Sequence, residues 1–163
     1  MAPLLTSRGS VHLRPAVDDD REFLIGLYGS VRAEELAMVT WDEGQREAFV
    51  RMQFDAQDSE YRRINPNGTF DVIELQGRPV GRLYVDRRPT EIRIVDISLL
   101  PEFRGAGIGG GLLDELMREA VASGRRLTIH VEITNRAESL YSRLGFVEAA
   151  RQGPYRRMEW TSS

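Results

Sequence analysis

No cysteine occurs anywhere in the 163 residues, which excludes disulfides, thiolate-bound metal and a cysteinyl-enzyme intermediate. Histidine is nearly as scarce. His12 and His130 are the two imidazoles, too few for a multi-histidine metal site. No apolar run approaches the roughly 18–20 residues that span a bilayer, and residues 1–10 lack the apolar core of a secretory leader. Positive charge is not in excess either. With 22 basic and 25 acidic residues the net charge is −3, which gives a nucleic-acid partner no electrostatic footprint. The expectation from these absences is a cytoplasmic protein without metal, acting on neither nucleic acid nor membrane.

What is present reads as globular. A 41% hydrophobic and 29% charged composition suits a single domain over residues 1–163, with 1–10 as a flexible start. Val11-His12-Leu13-Arg14 alternates at period two and stops at Pro15, a first strand. Asp19 with Glu22 resembles a capping box for a helix with Phe23, Leu24, Leu27, Tyr28 and Val31 on one face. Thr40 with Glu43, or Asp42 with Gln45, can cap a second helix bearing Ala48, Phe49, Met52 and Phe54. Asn65-Pro66-Asn67-Gly68 signals a turn, and residues 70–75 and 80–85 then form a hairpin across Gln76-Gly77-Arg78-Pro79. Residues 91–100 are a strand rich in Ile, Val and Leu. A helix with Leu112, Leu113, Leu116, Met117, Ala120 and Val121 follows, stopped by Gly124. Residues 127–133 read as another strand, 137–144 as a short helix ended by Gly145, and the remainder as one or two closing strands. This order predicts an α/β domain with a single mixed central sheet of about six to seven strands and helices on both faces.

The chemistry gathers where strand 91–100 hands over to its helix. Four of the six residues 105–110 are glycine, so the backbone there carries almost no side-chain cover and a ligand can approach its N–H groups. The helix that starts beside them aims unpaired N–H groups and a positive dipole end at the same spot. That combination favours an anion, commonly a diphosphate. Gly105, Gly107 and Gly110 satisfy G-x-G-x-x-G, and Glu132 lies 22 residues after Gly110, as a dinucleotide site would want. Against that reading, Pro101-Glu102-Phe103-Arg104 separates the glycines from their strand. A P-loop is excluded because no Lys-Ser/Thr follows.

Together with their flanks, Arg104-Gly105-Ala106-Gly107-Ile108-Gly109 resembles the R/Q-x-x-G-x-G/A signature of the Gcn5-related N-acetyltransferases. Downstream, Asn135-Arg136-Ala137-Glu138-Ser139-Leu140-Tyr141-Ser142-Arg143-Leu144-Gly145-Phe146 is similar to that superfamily's second block, N-x-x-A-x-x-L-Y-x-x-x-G-F. The resemblance covers residues 91–146. It implies the acyl-CoA N-acyltransferase fold, with two splayed strands that receive the pantetheine arm of acetyl-CoA as co-substrate and no metal. The backbone of Ile97, Leu99 and Leu100 would pair with pantetheine amides. The N–H groups of Arg104, Gly105, Ala106, Gly107, Ile108, Gly109 and Gly110 would hold the diphosphate, and Asn135 would bond along the pantetheine arm or cap its helix.

The same resemblance implies catalytic roles. Tyr141 occupies the position from which many members protonate the departing thiolate, work that suits a phenol with a pKa near 10. The base is less determined. Deprotonating a lysine at pH 7 costs about 4.6 kcal/mol, an α-amine only about 1.4 kcal/mol. The position that carries a glutamate base in lysine-modifying relatives holds Arg93 here. In its place, residues 130–135 resemble a segment of protein N-terminal acetyltransferases in which a histidine at the His130 position acts as base through water. Asp96, Glu91 and Glu132 are alternatives; alternation turns Asp96 away from Ile97 and Leu99, towards Arg82 or Arg93. The implied activity is acetyl transfer to a primary amine of a small molecule or peptide. A non-catalytic acyl-CoA-binding module is the alternative. Glu34, Glu35, Trp41 and Tyr84 are candidates for the acceptor pocket. Many relatives are homodimers, and Met158 and Trp160 are the apolar tail residues available to such an interface.

Overall fold

The computed structural model describes residues 3–132 and 138–162. Eight strands form one sheet: β1 (Leu4–Thr6), β2 (Gly9–Pro15), β3 (Thr69–Leu75), β4 (Arg78–Arg87), β5 (Glu91–Leu99), β6 (Arg126–Glu132), β7 (Val147–Gln152) and β8 (Tyr155–Trp160). Their order across the sheet is β1-β2-β3-β4-β5-β6-β8-β7. Every neighbouring pair is antiparallel except β5 with β6. A parallel pair needs a crossover, and the helix α4 (Ile108–Ser123) supplies it.

That helix buries Ile108, Leu112, Leu113, Leu116, Met117 and Ala120, the stripe its apolar spacing dictates. Each of the larger side chains contributes about 1.5–3 kcal/mol on burial. Gly124, at φ +65°, ends the helix in the left-handed region, and Arg125 N–H reaches back to the Ala120 carbonyl at 3.0 Å. The sheet face beneath α4 carries Ile73, Leu83, Val85, Ile92, Ile94, Leu127 and Ile129.

The opposite face is covered by α1 (Arg21–Val31) and α3 (Glu43–Ile64), with the short α2 (Ala33–Leu36) between them placing Leu36 against the α1–α3 pair. Leu24, Leu27, Tyr28, Val50 and Phe54 hold α1 and α3 together as a second core. Asp42 caps α3: its Oδ1 accepts from Gln45 N–H at 2.8 Å, and Gln45 Oε1 accepts from Asp42 N–H at 3.0 Å. A fifth helix, α5 (Glu138–Arg143), precedes β7. Among the described residues no helix is long and apolar enough to cross a membrane.

Several expectations need correction. The sheet has eight strands because residues 4–15 are not a loose start: β1 and β2 form a hairpin whose Leu4 side chain lies over Gly111. A Cβ on Gly111 would come 2.6 Å from Leu4 Cδ2, so the glycine permits that approach. The second long helix runs on to Ile64, and Val50 with Phe54, not Met52, is its buried face. Met158 is 2% exposed and belongs to the main core, with Trp160 packed against it; Met158 therefore presents no surface to a second copy.

Candidate active site

β5 and β6 part company. Their parallel register runs from Glu91↔Arg126 to Ile94↔Ile129 and ends there, although β5 continues to Leu99 and β6 to Glu132. The cause lies in β5. Tyr84 of β4 faces Asp96, the next residue Val85 faces Ile94, and Val95 is left as an extra residue. A bulge of this kind bends the strand and increases its local twist, here at the point where β6 stops following. It also resets the alternation, so that Ile92, Ile94, Ile97 and Leu99 all pack on the α4 side.

Beyond the bulge, Leu100 N–H bonds the Val80 carbonyl at 2.9 Å. Leu100 is thus tied to β4, and alternation turns the backbone groups of Ile97 and Leu99 into the split. Of the three backbone contacts expected there, Ile97 and Leu99 face the gap and the N–H of Leu100 is already used.

The glycine loop closes the end of this gap. A single 3-10 turn, Pro101–Phe103, seats Phe103 in the core, and Gly105 and Gly107 follow at φ +72° and +84°. A non-glycine residue pays roughly 1–2 kcal/mol in that region. Gly107 is the N-cap of α4, and the first intrahelical bond runs from Gly111 N–H to the Gly107 carbonyl at 2.9 Å. Ile108, Gly109 and Gly110 therefore lie in the first turn with no helical acceptor for their N–H groups. A Cβ built on Gly105, Gly107 or Gly110 would meet nothing within 4 Å. No side chain therefore covers the loop at these three glycines. Gly109 and Gly110 are part-exposed, whereas Ile108 is fully buried, so the accessible first-turn N–H groups are those of the two glycines, a helix start that suits an anion. Arg104 departs from expectation: its N–H bonds the Pro101 carbonyl at 3.2 Å, and its Nε donates to the Leu99 carbonyl at 3.0 Å. It braces the loop against the free edge of β5. Asn135 lies outside the described residues, as does the side chain of Glu132.

Tyr141 is carried on α5 and is 5% exposed. Its ring meets Phe146 edge-on at 5.8 Å, and Phe146 N–H bonds the Tyr141 carbonyl at 3.0 Å. Burial pushes the phenol's pKa above its usual value, and the negative charge of Asp96 adds to the rise. Tyr141 is a protonated donor at neutral pH.

His130 is the first residue of β6 beyond the last paired position, on the face away from α4. Its side chain makes no hydrogen bond among the described residues. Loss of solvent lowers its pKa, and the positive charges of Arg93 and Arg157 lower it further. The imidazole is neutral at neutral pH and free to accept a proton.

The other acids are occupied. Asp96 Oδ2 accepts from Arg82 Nε at 2.6 Å and from Ser98 Oγ at 2.9 Å. Glu91 accepts from Thr128 Oγ1 and pairs with Arg93 at 3.3 Å. Tyr84 is fully buried beneath α3, and so lines no acceptor pocket. Glu34 and Glu35 stand exposed on α2, and the Trp41 ring lies against Phe49 at 5.0 Å, tilted by 58°. Arg93 and Arg157, brought beside His130 by the register of three strands, were not foreseen from their spacing.

The model of the acetyltransferase (GNAT) family matches residues 31–146, a stretch that contains the split, the glycine loop and Tyr141. The chain belongs to the GNAT family. An uncharacterised N-acetyltransferase of Methanocaldococcus jannaschii is 37% identical to this GNAT chain over 90 residues, 48% of this chain and 39% of that protein's length. Among solved structures, the PaiA N-acetyltransferase of Thermoplasma acidophilum in complex with coenzyme A has a TM-score of 0.68 at 20% identity, covering 92% of this chain and 98% of that one. RimJ of Mycobacterium smegmatis in complex with CoA-disulfide gives 0.65 at 21% identity, covering 99% and 86%. At these identities the structural likeness speaks for the fold, a mixed sheet with splayed central strands.

Proposed function

We propose that this GNAT protein transfers the acetyl group of acetyl-CoA to a primary amine by direct attack in a ternary complex. The observation that carries the reading is the end of the β5–β6 ladder at Ile94↔Ile129 beside a helix that starts on glycines with free space where side chains would be. A pantetheine arm carries amides that can pair with the free edge at Ile97 and with the N–H of Leu99, whose carbonyl already accepts from Arg104, as a strand would. Its diphosphate then falls at the N-terminus of α4. The complexes of PaiA with coenzyme A and of RimJ with CoA-disulfide support coenzyme A as the ligand by analogy of fold.

In this reading His130, its imidazole neutral, takes a proton from the acceptor's ammonium group through water. The free amine attacks the thioester carbonyl carbon. When the tetrahedral adduct collapses, the C–S bond breaks and Tyr141 gives its proton to the departing sulfur. The phenol's raised pKa keeps that proton in place until thiolate charge develops. An α-amine, of a peptide, an amino acid or a small metabolite, suits an imidazole base better than a lysine does.

The test is turnover on a panel of amines with detection of free thiol. Amine-dependent thiol release supports transfer. Stabilisation by coenzyme A with no thiol released from acetyl-CoA by any amine identifies a binding module instead.

A further inference from the structure

The face of β5, β6 and β8 turned away from α4 is crowded with arginine where the split opens. Register sets Arg93 opposite Thr128, Thr128 opposite Glu159, and His130 opposite Arg157. Arg93 and Arg157 lie close enough to His130 that each lowers its proton affinity, and Arg157 lowers that of Arg93 too. Each of the two has one carboxylate at 3.3 Å, Glu91 for Arg93 and Glu159 for Arg157.

Those carboxylates are shared. Glu91 is also 3.9 Å from Arg88, and Glu159 is 3.5 Å from Arg126. The Nε atoms of Arg93 and Arg157 are both buried with no hydrogen-bond partner among the described residues. A buried guanidinium N–H left without an acceptor is costly. Two of them, flanking the one free imidazole at the mouth of the gap, make a place where a negative group is wanted.

We propose that Arg93 and Arg157 form an acceptor subsite for a carboxylate, so that the amine acetylated here belongs to a molecule carrying a carboxylate near it, as an α-amino acid does. This rests on the transfer reading. The acceptor's carboxylate lies between the two guanidinium groups, and its amine is held near His130 at the opening towards the thioester. A diamine or polyamine brings a second positive charge to the same place and is repelled. Specificity thus comes from a repulsive element as well as an attractive one.

The experiment compares an α-amino acid, its primary amide and a diamine of similar length, as acceptors and, after N-acetylation, as ligands of the complex with coenzyme A. The free acid is expected to exceed the amide at least tenfold in kcat/KM, with the diamine weaker still. In Arg157→Gln that preference falls to near unity while the KM for acetyl-CoA holds. Arg126→Gln, on the same face and 47% exposed, keeps it, which separates a specific contact from general loss of charge. Equal use of acid and amide, a preferred diamine, or a preference that survives in Arg157→Gln overturns the subsite. If coenzyme A binds but no acetylated acid binds better than its amide, the subsite alone falls. If coenzyme A does not bind, the transfer reading falls and the subsite with it.

Discussion

Asp96 Oδ2 lies 2.6 Å from Arg82 Nε, tying the bulged strand β5 to the interior of β4. Arg82 is 3% exposed, its Nη2 is held by Gln57 at 2.6 Å, and Asp96 is 21% exposed. Removing the acid leaves a buried cation without its counter-charge. Asp96→Ala is expected to cost about 3 kcal/mol, at the low end for broken buried pairs because Asp96 is partly wet. The double variant Asp96→Leu with Arg82→Met should recover most of that loss in urea melts. A loss under about 1 kcal/mol for the single variant contradicts a structural role for the pair.

Tyr141→Phe removes a donor and almost no volume. The expected result is a kcat about 10²-fold lower with the KM for acetyl-CoA little changed. Melting temperature should stay near that of the parent, since the Phe146 contact persists. Equal kcat removes the acid role.

Two glycines of the loop separate backbone strain from ligand clearance. Gly107→Ala forces a side chain to φ +84° and should destabilise the fold by roughly 1–2 kcal/mol. Gly110→Ala meets nothing within 4 Å and improves helix propensity by up to about 1 kcal/mol, yet its methyl group enters the space assigned to the diphosphate. It should raise or preserve the melting temperature while weakening coenzyme A binding. Unchanged affinity in Gly110→Ala places the anion elsewhere.

His130 fixes an acid limb. Its pKa lies below the ordinary 6.5, so the unfolded chain binds more protons than the folded one in that window. The stability it contributes is complete above 6.5 and is lost as pH falls through the lower, folded value. The rate follows the same group: kcat/KM should fall on acidification with a midpoint below 6.5. Arg157→Gln, which removes a positive neighbour, should move that midpoint up. His130→Gln should abolish the limb. A limb unchanged in His130→Gln assigns the base to another group.

Much of this was legible in the chain. The glycine spacing located the α4 N-terminus, the stripe from Leu112 to Ala120 gave its buried face, and Asp42 with Gln45 gave the cap of α3. The bulge was not legible, because Ile94, Val95 and Ile97 are all apolar and a slipped register reads the same on either face. The N-terminal hairpin was hidden for a different reason: β1 is three residues long, and what anchors it is a contact with Gly111, more than a hundred positions away in sequence. The end of helix α3 was not legible because few apolar residues mark its second half, where Arg62 and Arg63 pair with Asp58 and Glu60. The arginines around His130 come from three strands, and only register puts them together.

The most direct measurement is a melting curve with coenzyme A set against one with a nicotinamide dinucleotide. A ligand that fits the β5–β6 split and the α4 amides stabilises the folded chain by about 2.7 kcal/mol at a hundred times its Kd. The account predicts a clear rise in Tm with coenzyme A, a smaller one in Gly110→Ala, and none with the dinucleotide. A rise with the dinucleotide and none with coenzyme A contradicts it.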